Sequence, residues 1–294
     1  MTQRRRLDHF LLERAAEAGA DVRDGVRVAD VRADGLSVDG DEVAARVVIA
    51  ADGCNGTAAR ALGLAGEVVH GVALEGDVPY GVVPRARFAG RRVLELGVVP
   101  GGYGWIFPKG EHVNVGVGGW GSEGPRLRGH LARLCEAHGI DVSAATGTRG
   151  YRLPMRRSHT RLADGSAAAI GDAAALVEPL SGDGMYEAFL SAKLVTDNAL
   201  DLLAGRAESL EPYERQVERL LTPLADAGWS AKAAFDRYPR MTFALSRLPL
   251  TWTVLQRLLL GELAHPGAAR GAERLVMEAI RAVAIRARRT IPAT

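Results

Sequence analysis

Cysteine is nearly absent from this 294-residue chain, with only Cys54 and Cys135 present. That excludes a disulfide framework or a zinc ribbon and fits a reducing compartment. Lysine is almost as scarce, with Lys109, Lys193 and Lys232 alone among 37 basic residues. A chain so rich in Ala, Arg and Gly reads as the codon usage of a GC-rich bacterium, not as a binding signal. An excess of one charge is also missing: 37 Lys and Arg against 35 Asp and Glu leave +2. That balance provides no electrostatic footprint for nucleic acid. No apolar run reaches the ~18 residues of a bilayer span. The most apolar helical stretch, 248–263, is broken by Pro249, Gln256, Arg257 and Glu262. Arg4-Arg5-Arg6 is followed by no apolar core of a signal peptide, so a cytoplasmic chain is expected. The seven histidines show no H-x-x-x-H or H-E-x-x-H spacing, and no metal site is expected.

What remains is ordinary globular material, 47% hydrophobic and 24% charged, long enough for about two domains. Residues 7–18 read as a helix stopped at Gly19. Short strands follow near 26–31, 36–38 and 42–43, with Asp-Gly turns at 24–25, 34–35 and 39–40. Val47–Ala51 is apolar throughout, which predicts a strand of a parallel sheet buried on both faces. Residues 57–62 read as a short helix. From 67 to 120 the alternation predicts an antiparallel sheet, followed by a helix over 125–138. A second buried strand, 167–170, precedes a Gly/Pro loop and a long helix from Met185 to Leu203. Everything after Pro212 reads as helical.

Three groups of residues point to chemistry. The two apolar strands end in Asp52-Gly53 and Gly171-Asp172. Ligands of open α/β sheets bind beyond such strand ends, where a carboxylate accepts from ribose hydroxyls and glycine admits a pyrophosphate. Either pair taken alone is a common turn. Second, Gly182-Asp183-Gly184 opens the long helix, and a glycine-flanked helix start offers free N–H groups and partial positive charge to an anion. Third, Tyr103, Trp105 and Phe107 alternate along one strand before Pro108 and the Lys109-Gly110 turn. Val113, Val115 and Val117 alternate in the return, with glycines at 104, 116 and 118. The hairpin is therefore expected to show one apolar, aromatic face with room for something long and flat, unless it is simply a core face. Gly116-Val117-Gly118-Gly119-Trp120-Gly121 also matches G-x-G-x-x-G, with Asp141 twenty residues on. It is rejected as a dinucleotide fingerprint, because its strand alternates and its helix starts only after Pro125.

Together these residues resemble the FAD-dependent geranylgeranyl reductases, a branch of the p-hydroxybenzoate hydroxylase-like flavoproteins. Arg4-x-x-Leu7-Asp8-x-x-Leu11 ahead of Gly19-Ala20 resembles one helix of that family. Asp52-Gly53-x-Asn55, continued through Arg60, resembles its Asp-Gly motif. Gly171-Asp172 with Pro179, Gly182 and Gly184 resembles its flavin-ribose motif and flavin-edge loop, and Tyr103-x-Trp105-x-Phe107-Pro108 with Gly116-x-Gly118 its polyprenyl-pocket motif. The resemblance covers residues 1 to about 210. It implies a mixed α/β fold, with a partial Rossmann-like FAD domain over 1–62 and 150–205. An antiparallel-sheet substrate domain over 63–149 and a helical region over 206–294 complete it. It also implies reduction of isoprenoid C=C bonds with FAD, an NAD(P)H electron donor, and an isoprenoid or lipid substrate. Arg4, Asp52, Gly53, Gly171, Asp172, Pro179, Gly182, Gly184 and Met185 would hold the cofactor. Tyr103, Trp105, Phe107, Pro108, Gly116 and Gly118 would line the substrate pocket.

Two departures stand out. Gly56 replaces the serine usual in the Asp-Gly motif, removing a hydroxyl near the cofactor. The family's opening βαβ unit with G-x-G-x-x-G, on the order of 100 residues, is not found. The expectation is that the start has been placed late, that the unit is supplied separately, or that the chain is a flavin-free remnant carrying prenyl lipids. An aromatic-ring flavin monooxygenase is the other enzymatic alternative. In the last 25 residues, arginines 270, 274, 281, 286, 288 and 289 outnumber Glu273 and Glu278. They read as a solvated face, or as a peripheral contact with an acidic membrane surface.

Overall fold

The computed structural model describes residues 3–64, 66, 68–156, 160–259, 270–276, 278 and 282. In chain order the elements are α1 (Arg4–Glu17), β1 (Val28–Arg32), β2 (Gly35–Val38), β3 (Asp41–Ala44), β4 (Val48–Ala50), α2 (Ala58–Ala61), β5 (Val68–Pro79), α3 (Arg85–Phe88), β6 (Val93–Leu96), β7 (Tyr103–Pro108) and β8 (His112–Trp120). They continue with α4 (Leu127–Ala137), β9 (Thr146–Arg156), β10 (Ala163–Asp164), β11 (Ala167–Ala169), α5 (Met185–Leu203), α6 (Glu211–Arg237), α7 (Pro239–Ser246) and α8 (Pro249–Leu259). The fold is mixed α/β, and the chain divides into two compact units. One comprises residues 1–31, 35–45 and 72–151; the other comprises 32–34, 46–71 and 152–294.

The first unit is built on a five-stranded sheet in the order β6-β7-β8-β5-β9, with β6, β7 and β8 antiparallel. Its core lies on one face, where Ile106, Val113, Val115, Val117, Leu134 and Cys135 are completely buried. Burying each aliphatic side chain contributes about 1.5–3 kcal/mol, so this face fixes the register. Gly104 belongs to it as well, since a Cβ there would lie 2.9 Å from Leu134 of α4. The register corrects one expectation. Tyr103 pairs with Gly118, Trp105 with Gly116 and Phe107 with Asn114, while Ile106 faces Val115. Directly opposed residues share a face, so the valines lie under the core and the aromatics have glycines and Asn114 beside them. The same pairing confirms that Gly116 and Gly118 are mid-strand residues of an antiparallel hairpin and not a nucleotide turn. A second sheet, β1-β2-β3, belongs to this unit. No residue of α1 is buried, and Phe10, Leu11 and Leu12 are exposed.

The second unit holds a three-stranded sheet, β10-β11-β4, with β11 parallel to β4 in the register Ala167↔Val48 to Ala169↔Ala50. The parallel pairing agrees with the sequence; burial on both faces does not. Val48 and Ala50 are buried but Ile49 is 37% exposed, because among the described residues β4 is an edge strand covered on one side. The core of this unit packs Ala168, Ala169, Leu162, Val195, Leu210, Tyr213 and Val217. Three alanines in a row let α5 and α6 approach closely, and the Tyr213 hydroxyl donates to Ala169 O at 2.8 Å. The long helix starts and stops where the sequence places it, and α6, α7 and α8 supply the expected helix up to Leu259; residues 260–269 of that stretch lie outside the described residues. Of the basic C-terminal residues, Arg270 and Arg274 are described; Arg281, Arg286, Arg288 and Arg289 lie outside the described residues.

Candidate functional site

In the first unit, one face of the sheet carries the aromatic row. Tyr103 and Trp105 have ring centroids 5.9 Å apart, and Trp105 and Phe107 6.3 Å. β6 extends the apolar strip, since Leu94 pairs with Trp105 and Leu96 with Tyr103, and these leucines are 43% and 45% exposed. Gly116 is required by close approach: a Cβ would sit 2.1 Å from Cζ2 of Trp105. The indole therefore lies flat across β8. Gly118 leaves space beside it: a methyl group there would find its nearest neighbours, on Val72, Ala73 and Trp105, at 3.4–3.6 Å.

A polar network that sequence reasoning did not single out anchors this row. Trp105 Nε1 donates to Asn114 Oδ1 at 2.8 Å, and Asn114 Nδ2 donates to Asp77 Oδ1 at 2.9 Å. Asn114 is 4% exposed. Arg149 in turn bridges Asp77 and Glu75, at 3.0 Å to each, and His112 Nε2 lies 3.2 Å from Asp77 Oδ1. Burial works to raise the Asp77 pKa, but the Asn114 amide, Arg149 and His112 outweigh it and hold the carboxyl below its ordinary value. Period-2 alternation alone gives no signal for this network: only the register, which sets 103, 105 and 107 opposite 118, 116 and 114, puts Asn114 on the aromatic face.

The second unit brings together most of the expected cofactor residues. Asp52 and Gly53 end β4, and Gly171 and Asp172 follow the parallel β11. Gly171 N is held by Ser191 Oγ at 3.1 Å, which docks this turn onto α5. Asp172 lies against the start of α5: a Cβ on Gly184 would be 3.1 Å from its Oδ1. The loop Pro179–Gly184 is closed from within by Glu178, whose carboxylate accepts from Leu180 N at 3.0 Å and from Ser181 N and Oγ at 2.6 Å. Gly182 has φ +70°, and Met185 N donates to Asp183 Oδ1 at 3.1 Å. Asp52 caps α2, accepting from Ala58 N at 2.9 Å. A Cβ at Gly56 would meet that carboxylate at 2.0–2.4 Å, which gives the glycine a steric reason. Arg4 lies outside this unit. It belongs to the first unit and pairs with Asp8 at 3.0 Å on an exposed helix face.

Two further buried groups escaped the sequence. Arg156 is 6% exposed; its Nη2 donates to Thr160 O at 2.9 Å and pairs with Glu218, while Nε and Nη1 have no hydrogen-bond partner among the described residues. Glu187, in the first turn of α5, is 8% exposed. Burial, reinforced by the negative charges of Asp183, Glu178 and Asp172 against its own backbone amide, pushes its pKa up to about 7. Both line a cavity with Glu178, Thr222, Asp226 and Trp229. No cluster able to hold a metal ion is present among the described residues.

A carboxylate beside a glycine-bearing helix start, beyond the ends of two parallel strands, is the arrangement of nucleotide-cofactor folds. Comparison with known proteins narrows it. Residues 91–139, the segment holding the aromatic hairpin, match the family model of the geranylgeranyl reductase catalytic domain. A digeranylgeranylglycerophospholipid reductase of Methanopyrus kandleri is 32% identical over 274 residues, covering 81% of this chain and 68% of that protein. The crystal structure of a geranylgeranyl bacteriochlorophyll reductase-like protein from Thermoplasma acidophilum superposes with a TM-score of 0.71 at 24% identity, over 84% of this chain and 68% of that one. A probable FAD-dependent monooxygenase from Pseudomonas aeruginosa shares the fold at a TM-score of 0.57 and 20% identity, over 81% of this chain and 71% of that one. The chain belongs to the geranylgeranyl reductase family. It spans 57% to 68% of the length of the curated relatives it matches.

Proposed function

We propose that this chain carries the substrate face and the flavin-edge part of an FAD-dependent oxidoreductase that saturates C=C bonds of a geranylgeranyl or other polyprenyl chain. The observation that carries the reading is the aromatic row laid over Gly116 and Gly118 in the segment matching the reductase catalytic domain. Tyr103, Trp105 and Phe107, with Leu94 and Leu96, offer an isoprenoid a flat apolar strip. Pro108 closes the strand at one end. Binding there would orient the alkene and exclude water, which is where most of the catalytic gain of such a site would lie.

The residues of the second unit fit the flavin end of FAD. Asp172 would accept from ribityl or ribose hydroxyls. The α5 start, from Gly182 through Met185, would face the flavin edge with the positive end of its dipole. Pro179, Gly171, Asp52 and Gly53 would shape the approach, and Gly184 keeps clear the space beside Asp172 that a side chain would fill. Bound and reduced, FAD would supply the hydride; water or a protein acid would supply the proton. NAD(P)H is proposed as electron donor, and the arginines of 270–289 as a contact with an acidic membrane surface.

A second reading, prenyl-lipid binding without chemistry, is favoured by one observation: the apolar strip is built wholly from residues of the first unit and draws on none of the cofactor residues of the second. One experiment separates the two. The purified chain is loaded with FAD, reduced chemically and incubated with a geranylgeranyl lipid, and the product is weighed by mass spectrometry. Hydrogenated product, abolished by Trp105→Glu while flavin absorbance survives gel filtration, supports the reductase. Lipid binding with neither flavin retention nor hydrogenation supports the carrier. Equal loss of flavin and turnover in Trp105→Glu would assign Trp105 to folding alone.

A further inference from the structure

Helices α7 and α8 bury little of their apolar surface: among the described side chains Val254 is their only fully buried apolar residue. Surface helices normally turn an apolar stripe inward. Here Ser246 and Thr251 are buried, 9% and 8% exposed, while Phe243, Leu248 and Trp252 are 50%, 51% and 50% exposed. Met241, Leu245 and Leu250 are also exposed, at 41–42%. The chain as a whole balances 37 basic residues against 35 acidic ones. From Arg237 to Leu259, however, there are four arginines and no Asp or Glu. Two of the arginines are held beside aromatic rings: the guanidinium of Arg237 lies 5.5 Å from the Tyr238 ring and that of Arg247 lies 6.0 Å from the Phe243 ring.

We propose that the α7–α8 hairpin is a docking surface for an anionic lipid bilayer, with Phe243, Leu248 and Trp252 entering the headgroup–acyl boundary and Arg237, Arg240 and Arg247 meeting the headgroup charge. Charge complementarity identifies the occupant: a surface of exposed apolar side chains flanked by cations, with no anion in 23 residues, suits an acidic interface. Trp and Arg with bulky aliphatics are the composition of helices that lie in such interfaces. Over the described residues neither helix is long enough to cross, at 11 residues or fewer against the ~20 needed. The hairpin lies in the plane of the surface. This inference does not depend on the proposed reaction, because docking needs neither cofactor nor turnover.

The test is sedimentation of the full chain with vesicles of phosphatidylcholine alone or mixed with phosphatidylglycerol, at low and high salt. Binding is expected on the mixed vesicles, weaker on pure phosphatidylcholine and weakened by salt. The exposed-residue variant Phe243→Ser/Leu248→Ser/Trp252→Ser should keep the far-ultraviolet circular dichroism of the parent and bind at least ~10-fold more weakly. Arg240→Glu/Arg247→Glu should lower the preference for the anionic lipid further than Arg270→Glu/Arg274→Glu, whose arginines form the separate contact proposed above. The proposal is overturned if the parent binds neither vesicle, or if the apolar variant binds as the parent does. It is likewise overturned if the 270/274 pair alone abolishes binding, or if the parent is a dimer in solution that the apolar variant dissociates.

Discussion

Replacing Asn114 by leucine tests the anchoring of the aromatic row directly. Leucine matches asparagine in branching and in number of heavy atoms and is somewhat larger, so the substitution opens no cavity and chiefly removes the polar contribution. Two hydrogen bonds disappear: the neutral one from Trp105 Nε1 at 2.8 Å and the one donated to the Asp77 carboxylate at 2.9 Å. The first kind is worth about 0.5–1.5 kcal/mol and the second about 1.5–3 kcal/mol. Trp105 is partly exposed and can turn its N–H toward water, and Asp77 keeps Arg149, so about 2–4 kcal/mol is the expected loss of stability. Urea unfolding should show it as a lower midpoint at unchanged slope. The indole, released from Gly116, should show altered near-ultraviolet circular dichroism. KM for a prenyl lipid should rise while flavin retention stays as in the parent. A change below about 0.5 kcal/mol, the size of an ordinary surface substitution, would refute the reasoning. Asn114→Asp supplies an internal control. It keeps the acceptor for Trp105 but sets a second carboxylate against Asp77, so its deficit should grow as the pair ionises with rising pH and shrink in acid.

Three other perturbations follow from the same structure. Gly116→Ala places a Cβ 2.1 Å from the Trp105 ring; the indole must move at a cost of about 1–3 kcal/mol, and unchanged tryptophan fluorescence would contradict this. Tyr213→Phe removes the buried hydroxyl that donates to Ala169 O at 2.8 Å and should cost about 1–3 kcal/mol in thermal or urea unfolding, because a buried carbonyl is left unmatched. Glu187 has its pKa raised from 4.5 to about 7, first by burial and then by Asp183, Glu178 and Asp172. A raised pKa means that the folded state holds the proton more tightly. This contribution is therefore fully present below pH 4.5 and is lost as pH rises through about 7. Glu187→Gln should flatten that decline, and stability profiles of variant and parent that stay parallel across the window would count against the shift.

The fold is legible where one period dominates. The run of 47–51 and the run of 167–170 announce parallel strands, and Gly184 with the apolar rhythm behind it announces α5 from Met185 to Leu203. The exposure of Ile49 is not legible, because an unalternating run reports strand type and cannot report which neighbours are present to cover it. The face on which Val113, Val115 and Val117 lie is hidden for a different reason. Each strand's alternation is clear, but a hairpin's register decides which set joins which, and the Lys109–Glu111 turn offsets the two strands so that odd positions meet even ones. Glu178, Arg156 and Glu187 give no sequence signal at all. Their environments are made by α6 arriving from residues 211–237, with Trp229 Nε1 donating to Arg156 O at 3.0 Å, and such long-range contacts leave no local pattern.

The network behind Trp105 also explains why a polar chain runs across an otherwise apolar strip. A phenylalanine at 105 would present nearly the same hydrophobic area, but nothing would fix its ring angle. The indole N–H gives the ring one hydrogen-bonded orientation, set by a buried amide that is itself set by an ion pair through Asp77 and Arg149. Flexible polyprenyl chains carry no polar group near their double bonds, so under the proposed function the protein would align them only through the shape and fixed orientation of the surface they lie on. Trp105→Phe is therefore the sharper comparison with Trp105→Glu. It should preserve prenyl binding while loosening the choice of which double bond is presented. The product mixture from a substrate with several double bonds would then broaden without a matching fall in affinity. An unchanged product pattern would mean that the apolar area of the strip suffices and that the Asn114–Asp77 tether serves stability alone.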